Sequence, residues 1–210
     1  ILYAYPTNIN QELLDVMKIN SKIAKYLDIP LQHINDRLLK LMGRPTSSEY
    51  IMKLIDNIRN QLPEITLRTT FIVGFPTETE AEYRQLLDFI KLYKFDKVGA
   101  FQYSKEEGTL AASLKPQIPS KIKHKRYVEL MKVQQSISKV KNQRFEGKVL
   151  KVLVEKYDND NNIYIGRSEN DAPFVDGVVK IINANCELGK FYPVKILKAY
   201  EYDLVGELIN

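Results

Sequence analysis

The stretch Thr69-Thr-Phe-Ile-Val-Gly-Phe-Pro-Thr-Glu-Thr79 carries the densest chemical signal in the chain. An apolar run with strand character enters Gly74, whose missing side chain lets a ligand or another backbone come close. A helix N-terminus follows, and its free amides suit an anion. The same pattern also serves as an ordinary strand-to-helix turn, so the stretch alone leaves both readings open. Metal chemistry is narrowed by the single cysteine, Cys186. One thiol excludes an internal disulfide and cannot by itself build a zinc or iron-sulfur site, and free cysteines are usually small buried residues.

The elements that must position this stretch fall into two rhythms. Up to residue 145, strands predicted at Leu2–Tyr5, Tyr26–Pro30, Leu67–Val73 and Val98–Tyr103 alternate with helices. The helices are expected at Gln11–Met17 and Asn35–Met42, then after two capping-box patterns, Thr46-Ser-Ser-Glu49 and Thr77-Glu-Thr-Glu80. Ile51, Leu54, Ile55, Ile58 and Leu62 mark one helix face, and Tyr83, Leu86, Leu87 and Ile90 another. The Leu67–Val73 run has no polar alternation beyond threonines, as in a strand covered on both faces. Strand-helix alternation implies a parallel sheet with right-handed crossovers, and four strands make only part of an eight-stranded (β/α) barrel. After a loop at Ser104–Ser120, a long helix over Lys121–Arg144 is predicted to turn Tyr127, Leu130, Ile137 and Val140 inward.

Beyond residue 146 five short strands, Val149–Val154, Ile163–Arg167, Val178–Ile182, Val194–Leu197 and Leu204–Leu208, predict a small five-stranded antiparallel barrel of the OB-like kind. The expected fold class is therefore α/β, a partial parallel (β/α) barrel over residues 1–145 followed by a β-barrel over 146–210. The chain opens on Ile-Leu-Tyr-Ala-Tyr-Pro without an initiator Met, which reads as a strand entered in mid-course and predicts a fragment.

The 210 residues carry a net charge of +5 and 44% hydrophobic side chains, the composition of an ordinary globular protein. No apolar run approaches the roughly 20 residues of a membrane helix. A cytoplasmic protein without a membrane partner is the expectation. From Gly147 onward eight Lys or Arg stand against ten Asp or Glu, a net −2, which leaves +7 for residues 1–146. An acidic barrel suits a basic protein better than a phosphate backbone, so nucleic acid is not the expected main partner.

Four ordered motifs then point to a family. Tyr26-Leu-Asp-Ile-Pro-Leu-Gln-His33, Asn35-Asp-Arg-Leu-Leu-Lys-Leu-Met-Gly-Arg44, Leu67-Arg-Thr-Thr-Phe-Ile-Val-Gly-Phe-Pro76 and Phe101-Gln-Tyr-Ser-Lys-Glu-Glu-Gly-Thr109 resemble the radical S-adenosylmethionine methylthiotransferases in order and spacing. Gly147 to Glu207 is similar to that family's TRAM domain. Pro30-Leu-Gln-His33, where the tRNA-acting enzymes usually read Pro-x-Gln-Ser-Gly-Ser, resembles the RimO form, as do Gly166–Gly177 and Ala199–Glu207.

The resemblance implies a RimO-type enzyme that adds a methylthio group to an aspartate β-carbon of the twelfth small-subunit ribosomal protein. S-adenosylmethionine and two four-iron, four-sulfur clusters are implied as cofactors, with cluster cysteines that this chain lacks. The missing N-terminal portion is therefore an expected partner, and the fragment alone is expected to be inactive, with no catalytic or metal-ligating residue of its own. Also implied are a cosubstrate contact from Gln32 and His33, an Arg68 pair with the methionyl carboxylate, an adenine-side wall from Val73 and Gly74, and a mouth lined by Tyr103. Asp171, Asp176, Glu201 and Asp203 are the candidates for docking the substrate protein on the TRAM barrel. Two other readings stand beside this one: a MiaB-like tRNA methylthiotransferase, and a non-catalytic nucleic-acid or protein binding module.

Overall fold

The computed structural model describes residues 1–209. The chain divides into two compact units, Ile1–Gln134 and a second from Gln135 onward.

Three parallel strands form the sheet of the first unit in the order β1 (Tyr26–Asp28), β2 (Thr66–Val73), β3 (Lys97–Gln102). The fourth strand expected at Leu2–Tyr5 is not one. Its backbone does follow the edge of β1, where Asp28 N donates to Ile1 O at 3.0 Å and Ala4 N to Asp28 O at 2.9 Å. Tyr3 between them adopts φ 57°, which breaks the pleat. Helices α1 (Gln11–Ile19), α2 (Asp36–Leu41), α3 (Ser48–Gln61) and α4 (Glu80–Tyr93) alternate with the strands. Each begins on a side chain that accepts a backbone N–H, respectively Asn10, Asn35, Ser47 and Thr79. The α3 cap is Ser47 rather than Thr46, and the capping box of α4 is Thr79 with Glu82, two residues beyond the predicted pair.

The β2 strand is covered unequally. Leu67, Thr69, Phe71 and Val73 are buried, and Phe71 meets Phe89 of α4 and Phe95 edge-on, at 6.3 and 6.2 Å between ring centres. On the opposite face Thr66 and Thr70 are buried but Arg68 and Ile72 only half-buried, so the strand is covered on both faces, less completely on this one.

The final helix, α6 (Ser120–Gln143), follows the short α5 (Leu110–Ser113). Its buried positions are Arg126, Leu130, Gln134, Ser138 and Asn142, a four-residue spacing that is mostly polar. Val140, predicted to face inward, is 70% exposed. An apolar search misses such a face because its polar groups are satisfied by specific partners: Gln134 Nε2 donates to Phe95 O, and Asn142 Nδ2 to Tyr200 O.

In the second unit β4 (Val149–Asp158), β5 (Ile163–Arg167), β6 (Val179–Ile182), β7 (Phe191–Ala199) and β8 (Leu204–Leu208) close into a barrel ordered β4-β5-β6-β8-β7. Four pairings are antiparallel, but β6 and β8 run parallel, which corrects the all-antiparallel expectation. The reason is topological: the chain crosses through β7 before β8 returns beside β6, a Greek-key closure. Alternate residues Val152, Val154, Val179, Ile181, Val194 and Ile196 fill the interior, and Cys186 packs half-buried against them. No helix among the described residues is long and apolar enough to cross a membrane.

Arg37 holds Glu82 by two bonds of 2.7 Å and, together with Thr79, pulls its carboxyl down to about 2 against the opposing effect of burial. A carboxyl depressed in the folded state contributes stability above its unfolded pKa and loses it as pH falls through the folded value. Stability of the first unit is therefore expected to fall between the ordinary Glu range and pH 2, with a shallower slope in Arg37→Ala. Equal slopes in acid-dependent urea unfolding would refute the assignment.

Candidate functional site

The C-terminal ends of the strands gather around a cavity of about 690 Å³. Gln32 reaches it by an unusual backbone. Its φ of 70° is left-handed, a conformation that costs a side-chain-bearing residue about 1–2 kcal/mol. Two bonds to β2 hold it there, from Gln32 N to Thr70 O at 2.8 Å and from Ile72 N to Gln32 O at 2.9 Å. Ile72, Phe75 and Phe101 supply apolar walls, Tyr103 and Ser104 one rim, and Met42, Gly43 and Arg44 the other.

Tyr103 is fixed from three directions. Its N–H donates to Val73 O at 2.9 Å, its carbonyl accepts from Lys123 Nζ at 2.8 Å, and its ring lies edge-on to Phe75 with centres 5.3 Å apart. The Lys123 ammonium also stands 4.9 Å from the Tyr103 ring centre, and burial pushes its pKa below the usual lysine range.

Of the six residues assigned to the cosubstrate from sequence, the structure brings Gln32 and Tyr103 together on this cavity. The other four lie elsewhere. Val73 is fully buried on the Phe71 face of β2 and contributes its carbonyl to Tyr103. Gly74, at φ 70°, lies under the aliphatic stem of Lys123. Arg68 is the third of eight residues in β2, about 16 Å of strand before Val73. Its guanidinium pairs with Asp28 Oδ1 at 3.0 Å and reaches Thr70 Oγ1 at 3.4 Å, so it belongs to the middle of the sheet and not to a strand end.

His33 is fully buried in an ionic cluster behind the cavity. Asn35 N donates to its Nδ1 at 2.9 Å, which leaves the ring proton on Nε2, 3.3 Å from Glu78 Oε1. Glu78 Oε2 accepts from Gly74 N at 2.8 Å and from Arg126 Nη1. The free amides expected ahead of α4 are thus taken by the chain's own carboxylates, since Thr79 N likewise donates to Glu82.

Arg44, Lys123, Glu78 and Arg126 were not singled out from sequence. Gly43-Arg-Pro45 could have flagged the Arg44 turn, whereas nothing local connects Lys123 or Arg126 with residues nearly 50 positions away.

On the barrel the four docking candidates do local work. Asp171 Oδ2 accepts from Ser168 Oγ at 2.8 Å and Asp176 Oδ2 from Ala172 N at 2.9 Å, pinning the loop between β5 and β6. Asp203 accepts from Val178 N and pairs with Lys180 at 2.7 Å, and Glu201 pairs with Lys139 at 3.3 Å. At the tip of the pinned loop Phe174 stands wholly in solvent at φ 69°, followed by the half-exposed Val175. Among the described residues no group of three His, Cys, Asp or Glu is placed to hold a metal.

The chain thus holds a parallel sheet with a cavity at its strand ends and, after it, a closed five-stranded barrel. Family comparison gives the same division: residues 2–90 match the Radical SAM superfamily and residues 147–209 the TRAM domain. The fold resembles that of coproporphyrinogen III oxidase (HemN) from Escherichia coli, a radical SAM enzyme, with a TM-score of 0.52 and 19% identity over 65% of this chain and 32% of that one. In sequence the chain is 50% identical over 99% of its length to the ribosomal protein uS12 methylthiotransferase RimO of Caldicellulosiruptor saccharolyticus. It is 47% identical over its full length to the RimO of Carboxydothermus hydrogenoformans. Through its whole length the chain is similar to RimO-type radical SAM methylthiotransferases. It spans about half the length of these relatives, 47% and 48%.

Proposed function

We propose that the chain is the C-terminal part of a methylthiotransferase that replaces a hydrogen on the β-carbon of an aspartate in ribosomal protein uS12 with a methylthio group. The observation that carries this reading is the similarity to RimO enzymes through both compact units, 50% identity over 99% of the chain. Taking a hydrogen atom from an unactivated carbon lies beyond any side-chain acid or base, and S-adenosylmethionine on an iron-sulfur cluster supplies that step.

The chain's own residues bind and orient. Gln32 and Tyr103 face the cosubstrate across the cavity, with the Val73–Gly74 backbone as the wall behind Tyr103. Ile72, Phe75 and Phe101 keep water from the reacting atoms. His33 acts through Glu78, and Arg68 through the sheet centre. The whole protein carries two four-iron clusters on cysteines outside these 210 residues, works in the cytoplasm where ribosomal proteins are found, and is silent when reduced to this piece. Anaerobic reconstitution of the whole protein, followed by mass spectrometry of uS12 and of tRNA, tests the reading. A methylthio increment on the uS12 aspartate is expected, and an increment on tRNA alone would reject it.

The barrel docks uS12. Its net −2 charge matches a basic partner, and Phe174 is the anchor, since a ring held in water at a left-handed φ gains nothing in the free protein. Phe174→Ser is expected to raise the KM for uS12 about tenfold, the scale of one lost aromatic anchor, with kcat and the unfolding midpoint unchanged. An unchanged KM would remove Phe174 from the docking surface.

A further inference from the structure

Within the first unit the outward side of α6 carries one sign of charge. Lys121, Lys125 and Lys132 are exposed and stand at i, i+4 and i+11, a spacing that returns each to one stripe of the helix about 16 Å long. The half-buried Val128, at i+7, lies on the stripe between them, and the exposed His124 flanks it. The other two cations that α6 has in this unit are used inside the protein: Lys123 donates to Tyr103 O, and Arg126 is buried on Glu78. Acidic groups do not offset the stripe. Glu129 is the one acidic residue of α6, and it accepts from Arg84 Nη1 at 2.6 Å and from Tyr83 Oη at 3.2 Å. Glu78 and Glu80 are paired with Arg126, and Glu80 also with Arg84. Neither Lys121 nor Lys125 has a hydrogen-bond or ion-pair partner among the described residues.

Helix stability does not account for these lysines. A cation in the opening turn of a helix opposes its dipole, and α6 begins Ser-Lys-Ile-Lys with no acidic residue in its first turn. A row of unneutralised ammonium groups on a rigid helix suits a polyanion, and two kinds match by charge: a nucleic-acid backbone and an anionic membrane surface. A membrane-surface helix sets large apolar side chains beside its cations. Here Leu130 is turned into the unit, Ile122 lies about a quarter turn off the stripe, and Val128 is the one apolar residue on it. We infer that this stripe of α6 binds the phosphate backbone of RNA. The inference rests on the proposed function for its setting, because a ribosomal protein within its subunit lies among RNA phosphates. It also gives a use to the uneven charge of the chain, +7 over residues 1–146 against −2 beyond: the acidic barrel meets the basic protein, and the lysine stripe meets the RNA around it.

The test titrates the whole protein with an RNA hairpin of about 16 base pairs, the span of a double-stranded-RNA-binding surface, over a series of salt concentrations. Wild type is expected to bind with an affinity that falls steeply as salt rises. The triple variant Lys121→Gln, Lys125→Gln, Lys132→Gln is expected to bind at least tenfold more weakly at low salt, with the slope of log affinity against log salt reduced by about 3 for three lost phosphate contacts. Its unfolding midpoint is expected to be unchanged or raised, since a cation leaves the opening turn of α6. A control triple, Lys18→Gln, Lys22→Gln, Lys53→Gln, removes the same charge from exposed lysines of α1, the turn after it and α3, and is expected to bind the hairpin within twofold of wild type. Equal losses in the two triples would overturn the inference, because net charge and not the stripe would then hold the RNA. Unchanged affinity in the α6 triple would overturn it too, as would a wild type that binds vesicles of phosphatidylserine and phosphatidylcholine but not the hairpin. If wild type fails to modify uS12 the proposed function fails, while the hairpin titration still decides the stripe.

Discussion

Replacing Glu78 by glutamine is expected to destabilise the Ile1–Gln134 unit by about 3–5 kcal/mol, the scale of a buried ion pair that loses one partner. Glu78 is fully buried at its side chain and receives three donors: His33 Nε2–H on Oε1, and Gly74 N–H with Arg126 Nη1–H on Oε2. Glutamine offers one acceptor oxygen and one NH2 group. Whichever way it is turned, its NH2 faces another donor, and Arg126, 5% exposed, keeps its charge without the carboxylate. Glu80, at 3.3 Å from Arg126 Nη2, offsets only part of that because its own side chain is 60% exposed. Adding Arg126→Met is expected to recover stability relative to Glu78→Gln alone, since no buried charge then remains unpaired. Urea unfolding measures both variants, and a loss below about 1 kcal/mol in Glu78→Gln would contradict this account. The same substitution frees the Gly74 turn and the segment after Gln32, so its cost extends to the cavity that these two strand ends shape.

Gly74→Ala carries the second large effect, about 2–4 kcal/mol. Two terms contribute. The left-handed φ of 70° costs an alanine about 1–2 kcal/mol. The added methyl also overlaps Lys123 Cγ and stands 3.1 Å from Lys123 Cβ and 3.3 Å from its Cα, which places overpacking at about 1–3 kcal/mol. Because those last atoms belong to the helix backbone and the root of the side chain, Lys123 cannot swing aside. Lys123→Ala removes Cγ and with it much of the clash, while the dihedral cost stays. Gly74→Ala is therefore expected to cost only about 1–2 kcal/mol in the Lys123→Ala background. A double-mutant cycle reads the difference as a coupling of about 1–2 kcal/mol, and strict additivity would show that Lys123 does not roof Gly74.

These two residues also show where sequence reading stops. Gly74 was legible as a position where something approaches closely, because a strand that enters glycine before a capped helix is a local pattern. What approaches it is not local. Lys123 and Arg126 lie on the far side of two helices and a strand, and the Arg126 bond to Glu78 spans 48 positions. Arg68 was misplaced for a related reason: a strand's residues are easily listed, but its C-terminal end depends on where the pairing with β3 stops, at Val73 opposite Gln102. The polar buried face of α6 escaped because apolar periodicity cannot report an interior made of Arg126, Gln134 and Asn142 with dedicated partners.

Most of the order of strands and helices, the change from a sheet-bearing half to a small barrel, the acidity of that barrel and the likeness to RimO enzymes were present in the amino-acid sequence. Each is a matter of composition, short-range periodicity or ordered motifs, and these survive without coordinates. Only the tertiary structure decided which side chains share a space. It set Gln32 and Tyr103 on one cavity, turned His33 into an ionic cluster behind it, kept Arg68 at the sheet centre and delivered Arg44 to the rim. The physical reason is that a site is made of side-chain directions, and directions here follow from one left-handed glutamine, one closed helix end and the pairing of strands some 40 residues apart.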